Sequence, residues 1–164
     1  MKYAIRPLTN EHAAEASAVV QESFLGLAAP DWQPEARRVF LEATAPEPLR
    51  QRLSKMALAA GAFSEAGIAG VILMPEPNLL GLLFVRPRCL RLGIGRALWQ
   101  SARAHIEATF PEVNTVELNA TPHAVPFYKS VGFVPISSVF DRDGQRAVRM
   151  ACWLPARSLG ASLL

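Results

Sequence analysis

At 164 residues the chain has the length of one domain built around one hydrophobic core. Apolar residues make up 51 % and charged residues 19 %, which excludes an intrinsically disordered chain. The net charge is only +3, and the basic residues lack interleaved exposed aromatics, which disfavours a nucleic-acid-binding surface.

Lys2 to Leu8 predicts a first strand, ending at Pro7. Thr9 and Asn10 suit an N-cap, and Ala13, Ala16, Val20 and Phe24 recur at helical spacing, giving a helix that breaks at Ala29-Pro30. Pro34 stands where a first-turn proline is tolerated and opens a helix from Glu35 to Ala43. Pro46 and Pro48 restart the chain toward Leu53.

From Met56 the period changes. Ala57 to Ser64, Ile68 to Met74 and Leu79 to Val85 are short apolar runs separated by Glu65-Ala66-Gly67 and Pro75-Glu76-Pro77-Asn78. This spacing predicts a three-stranded antiparallel meander. The segment from Met56 to Val85 is too interrupted by Glu65, Glu76, glycines and prolines to hold an 18-residue membrane helix.

Gly93 to Phe110 forms the clearest helix, with Ile94, Ala97, Leu98 and Ile106 on a buried face and Arg96, Gln100, Arg103 and Glu107 opposite. Thr115 to Asn119 alternates as a half-buried strand that turns Glu117 and Asn119 the same way. A short helix begins near Pro122 or His123 and ends near Gly132, a C′ glycine. Phe133 to Phe140 and Ala147 to Leu154 form a hairpin around Asp141-Arg142-Asp143-Gly144, and the tail from Pro155 to Leu164 carries no signal. The order β-α-α-β-β-β-α-β-α-β-β is that of a single α/β domain with a mostly antiparallel sheet.

The chemistry concentrates where the strand Leu82-Leu83-Phe84-Val85 runs through Arg86-Pro87 into Gly93-Ile94-Gly95-Arg96. The first amides of a helix have no intrahelical acceptors, and the helix dipole adds partial positive charge beside them. With Arg86, Arg88, Arg91 and Arg96 in the same window, this is a site for phosphate or pyrophosphate. A Walker loop is excluded, because no Lys-Ser/Thr follows the glycines. A dinucleotide fingerprint is disfavoured, because three antiparallel strands precede the motif and Leu98 fills the third small position.

These residues resemble the GNAT superfamily of acyl-CoA-dependent N-acetyltransferases. Leu83-Phe84-Val85-Arg86-Pro87 and Gly93-Ile94-Gly95-Arg96-Ala97-Leu98 follow its strand and pyrophosphate loop, with Leu90 where the family usually has Gln or Arg. Ala124-Val125-Pro126-Phe127-Tyr128-Lys129-Ser130-Val131-Gly132-Phe133 looks like its second signature. The resemblance covers roughly residues 1 to 154 and implies a GNAT-like fold, a twisted mixed sheet of about seven strands flanked by about four helices.

It also implies a direct attack of a primary amine on acetyl-CoA in a ternary complex. Its cofactor contacts would come from the backbones of Leu83, Phe84 and Val85, the amides of Arg91, Leu92, Gly93, Ile94, Gly95 and Arg96, and Asn119 with Phe127. Val85 resembles the residue whose N–H faces the thioester oxygen, and such a donor is worth about 3 kcal/mol. Tyr128 matches the general acid for the departing sulfur. An alkylamine of pKa about 10.4 is mostly protonated at pH 7, so a base matters more than the acid, at about 4.6 kcal/mol. Glu117 is the candidate base, with Glu76 or a water chain as alternatives.

The remaining residues read more simply. Cys89 and Cys152 form no disulfide framework or metal spacing, His12 and His105 have no metal-ligand partners, and no metal is expected. Met1 to Arg6 lacks a secretory h-region, which predicts a cytoplasmic protein. His123 reads as a cap or solvent-facing residue, and Trp32, with Asp31 and Phe24, falls in the helix pair that walls the acceptor site in the family. Sheet-edge or C-terminal homodimers are common in such folds. The acceptor, a small amine or a peptide amine, is not legible, and a non-catalytic acyl-CoA-binding module of the same fold is the alternative.

Overall fold

The computed structural model describes residues 2–155; the rest of the C-terminal segment, 156–164, lies outside the described residues. Strands β1 (Ala4–Pro7), β2 (Leu58–Ser64), β3 (Gly67–Met74) and β4 (Leu82–Val85) form one antiparallel sheet in that order. β3 is buried almost throughout, because it is covered on both faces. Its first residue, Gly67, takes φ +97°, a value the tight β2–β3 turn requires and side chains avoid.

On one face lie α1 (Ala13–Ser23), α2 (Pro34–Ala43) and α3 (Pro46–Leu53). The sequence predicted two helices here. Thr44 ends α2, its hydroxyl donating to the Phe40 carbonyl at 2.8 Å, and Pro46 then opens α3 as a separate helix. Val19, Val20, Leu49 and Leu53 pack on Val71 and Leu73 in this layer. After α1 the chain runs on as a π-helical segment, Phe24–Ala28, and a 3₁₀ turn, Ala29–Asp31.

On the other face lies α4 (Ile94–Thr109). Its core joins the first sheet to a second, in which β5 (Thr115–Ala120) and β6 (Val134–Pro135) flank β8 (Gln145–Trp153). Trp99, Leu98 and Ile106 pack there with Ile72 of the first sheet and Val116, Leu118 and Met150 of the second. Ala97, expected on this face, is only half-buried, and Trp99 belongs to the face as well. In the fold Trp99 is sealed, and its indole N–H donates to the Val131 carbonyl at 3.1 Å, tying α4 to the end of α5 (Val125–Ser130).

The strand expected from Phe133 to Phe140 is two pieces, so there are eight strands rather than about seven among the described residues. Val134 faces Ala151 and Phe140, in β7 (Phe140–Arg142), faces Ala147, so six residues on one side span four on the other. Ser137 lifts the chain away, its hydroxyl accepting the Arg149 N–H at 2.9 Å in place of a main-chain carbonyl. The β7–β8 turn is Asp143-Gly144, with φ of 53° and 82°, the pattern of a two-residue hairpin loop. No helix among the described residues is long and apolar enough to cross a membrane.

Because Trp99 fills the junction of the two sheets, Trp99→Ala is expected to lower the unfolding free energy by about 3–5 kcal/mol. Chemical denaturation followed by circular dichroism measures it; a loss under 1 kcal/mol would mean the junction is held elsewhere.

Candidate active site

The two sheets meet between β4 and β5, and there the ladder stops. Glu117 N–H donates to Asn78 O and Leu80 N–H to Glu117 O, both at 2.9 Å. Beyond those two bonds the strands belong to separate sheets. A β-bulge begins the divergence: Gly81 N–H donates to Leu73 O at 3.0 Å while Leu82 is Leu73's register partner, so two residues oppose one. Only glycine fits at position 81, where a Cβ would stand 2.8 Å from the Pro75 ring.

The phase of each ladder shows which groups face the gap. Arg86 N–H donates to Ala69 O at 2.8 Å, so the two-residue period turns Phe84's N–H toward β3 and those of Leu83 and Val85 away from it. On β5, Leu154 N–H donates to Asn114 O at 2.8 Å, which turns the main-chain groups of Glu117 and Asn119 away from β8 and toward β4. The structure thus brings Leu83, Val85 and Asn119 to the two edges of one gap. Phe84 faces the other way, and its ring joins the α1–α2 layer. Ser23 on α1 donates to the Val85 carbonyl at 2.8 Å.

After β4 the chain makes a 3₁₀ turn, Pro87–Cys89, and then curls, with Arg91 at φ 64° and Gly93 at φ 76°. A non-glycine residue in that region costs about 1–2 kcal/mol, and such strain gathers at functional loops. From Arg91 to Arg96, six consecutive backbone N–H groups have no hydrogen-bond partner among the described residues; Ala97 N–H, to Gly93 O at 2.9 Å, is the first one paired. A run of free amides in a left-handed curl at a helix start has the donors and dipole that suit an anion.

The two glycines divide their roles. A Cβ at Gly93 would meet nothing within 4 Å, so that position opens to the space before the helix. At Gly95 it would stand 3.1 Å from the Phe127 ring. Gly95 therefore admits α5 rather than a ligand, and Phe127 packs at the first turn of α4, beside Tyr128 (5.2 Å between ring centroids).

The arginines divide too: of the four in this window, two are engaged within the protein. Arg86 donates to Ile68 O at 2.8 Å and pairs with Glu22, and Arg96 donates to Ser130 O at 3.1 Å. Arg88 and Arg91 carry no side-chain hydrogen bond or ion pair among the described residues. Leu90 and Leu92 are exposed on the loop.

Tyr128 is buried, and burial pushes its phenol above the ordinary range, so the hydroxyl stays protonated at neutral pH. It has no hydrogen-bond partner among the described residues. Trp32 Nε1 is the one sealed side-chain polar atom there without a partner, so the equally unpartnered Tyr128 hydroxyl opens to accessible space. Glu117 projects from the opposite face of β5 to Val116 and Leu118, and lines a cleft of about 450 Å³ with Glu76 and Glu112. The two carboxylates that the sequence offered as alternative bases are thus neighbours. Tyr128 and Glu117 lie on opposite faces of β5 and share no hydrogen bond. His123 faces solvent, as expected, and also places Nδ1 3.3 Å from Asp31 Oδ2.

The acetyltransferase (GNAT) domain model matches residues 28–154. The chain belongs to the GNAT acetyltransferase family. Among solved structures it is similar to a GCN5-related N-acetyltransferase from Rhodopseudomonas palustris (22 % identity, 94 % of this chain and 97 % of that one, TM-score 0.80). It is also similar to the PaiA N-acetyltransferase from Thermoplasma acidophilum in complex with coenzyme A (22 %, 94 % and 100 %, TM-score 0.76). The ribosomal-protein-S18-alanine N-acetyltransferase from Escherichia coli is a third (18 %, 99 % and 99 %, TM-score 0.65). At these identities the likeness shows the GNAT fold. No curated protein matches the sequence.

Gly93→Ala places a Cβ on a left-handed residue that faces the open space. It is expected to lower coenzyme A affinity at least tenfold in calorimetry, while costing the free protein only about 1 kcal/mol of stability. Unchanged affinity would mean that this loop holds no part of coenzyme A.

Proposed function

We propose that this GNAT protein transfers the acetyl group of acetyl-CoA to a primary amine by direct attack in a ternary complex. The observation that carries the reading is the pairing of an unmade ladder with a run of free amides at its open end. A pantetheine chain is itself amide-bearing and extended, so it suits the edge groups of Leu83, Val85 and Asn119; a diphosphate suits the amides of Arg91 to Arg96. The residues present therefore fit coenzyme A without a further cation, and Arg88 and Arg91 stand free to add charge.

When bound, the thioester supplies an activated acetyl group. The chain's own part is positional and electrostatic. The N–H groups of Leu83 and Val85 face the gap, and Val85 is the candidate donor to the carbonyl oxygen as it gains charge. Fixed donors of this kind need no reorganisation at the moment of reaction. Tyr128, neutral and buried, can hold a proton for a departing thiolate at the gap. Glu117, on the other face of β5 with Glu76 lining the same cleft, is the candidate base for the incoming amine. Holding donor and acceptor together supplies rate through orientation.

The test mixes the protein with acetyl-CoA and a panel of small amines, aminoglycosides, lysine peptides and free peptide N-termini, and assays released thiol. The reading predicts amine-dependent release with at least one acceptor. Coenzyme A binding with no release across the panel would favour an acyl-CoA-binding module instead. Tyr128→Phe is expected to lower kcat at least tenfold with acetyl-CoA affinity nearly unchanged. Because burial raises the phenol above its ordinary range, that loss should persist at about pH 10.5, where an ordinary phenol is mostly ionised; unchanged turnover would remove Tyr128 from the chemistry.

A further inference from the structure

The connection between α1 and α2, residues 29–33, reaches from one half of the molecule to the other. On the β4 side Trp32 lies edge-on to Phe24 and Phe40, with ring centroids 5.0 and 5.3 Å apart, and Phe40 in turn approaches Phe84 of β4. On the far side Gln33 N–H donates to Gly144 O at 2.8 Å in the β7–β8 turn, and Trp32 bridges to Gln145 through the main chain. Asp31 Oδ2 meets Nδ1 of His123, in the turn that follows β5, at 3.3 Å. β4 and β5 are the strands that diverge. The segment therefore straps the open end of their gap from the α1–α2 layer, whereas the loop of free amides belongs to the α4 layer.

We propose that Asp31 and His123 are positioning residues whose contact fastens this strap and so sets the acceptor-side wall of the gap, without touching the acyl donor. The inference rests on the acyltransferase reading for what passes the wall. Two observations support it. The other far-side hydrogen bonds are main-chain ones, with only the Gln33 side chain packed on Gly144 beside them, so Asp31–His123 is the polar side-chain contact that the sequence adds. In the fastened position the indole N–H of Trp32 is also sealed with no partner among the described residues. A segment that leaves a buried donor unmade is held less firmly by its own packing, and an outside contact decides where it rests. Both side chains are partly exposed, at 40 % for His123 and 27 % for Asp31, so the effect is a matter of a few-fold rather than of orders of magnitude.

Hydrogen exchange read by mass spectrometry on the full chain, free and saturated with coenzyme A, tests this. Peptides over 29–36 report the Gln33 amide, and peptides from β2 and β3 control for general unfolding. Exchange at 29–36 should rise about three- to fivefold in Asp31→Ala and in His123→Ala. It should rise no further in the double variant, and Asp31→Asn, which keeps an oxygen to accept from Nδ1–H, should restore protection. Coenzyme A affinity by calorimetry should stay within threefold. For each panel amine that the parent protein acetylates, KM should rise with kcat within twofold.

Parent-like exchange in both alanine variants, or a double variant that exchanges as the product of the singles, would overturn the fastening. A loss of coenzyme A affinity beyond threefold would place His123 in the donor site instead. The exchange result stands whether or not any amine is acetylated, so failure of the strap and failure of the acyltransferase reading are separate outcomes. Should Asp31→Ala not fold, His123→Ala and His123→Gln carry the same comparison.

Discussion

Backbone polar groups need partners, and along one line of this molecule they do not have them. Asn78 and Leu80, in the segment that leads into β4, bond β5 at Glu117, and beyond them the two strands share no ladder. A strand edge left open inside a domain is a liability that proteins usually cover or close. Here the N–H groups of Leu83 and Val85 and the edge groups of Asn119 face each other across a gap, with Ser23 covering the Val85 carbonyl, and six consecutive unpartnered amides, Arg91 to Arg96, stand at its mouth. The rest of the architecture serves to keep that gap from closing.

Several packing choices hold it open. The bulge at Gly81 and Leu82 turns β4 as it leaves β5, and Pro75 occupies the space that a side chain at 81 would need. The first turn of α4 sits close to the sheet because Gly70 carries no Cβ; one there would stand 3.1 Å from both Ile94 and Leu98. Gly95 lets Phe127 approach from α5. Trp99 then bonds the end of α5 to the middle of α4. The helix whose amides are free is therefore clamped along its length, and preorganised donors of this kind lose little entropy when they take a ligand.

Much of this was legible from residue pattern. The alternation in Thr115 to Asn119 set the two faces of β5 correctly, and the glycine pair after an apolar strand located the loop that carries the free amides. What stayed hidden depends on contacts between distant segments. Nothing local distinguishes Arg86, turned inward to Glu22 and Ile68, from Arg91, which is free. Nor does spacing reveal that Gly95 serves a helix contact while Gly93 serves an opening. The break at Ser137 and Ser138 could have been suspected, since paired serines interrupt the apolar run from Phe133 to Phe140. The meeting of Asp31 with His123 joins positions 92 residues apart, and no sequence periodicity reports it.

In the proposed function, unpartnered main-chain donors take a single extended ligand. Amide chemical shifts, followed by NMR as coenzyme A is added to the ¹⁵N-labelled protein, test that at each atom concerned. The largest changes should fall on Leu83, Val85, Asn119 and the run from Arg91 to Arg96, with β1 and β2 nearly still. Saturating binding that leaves those amides unmoved, or no binding at all, would contradict it.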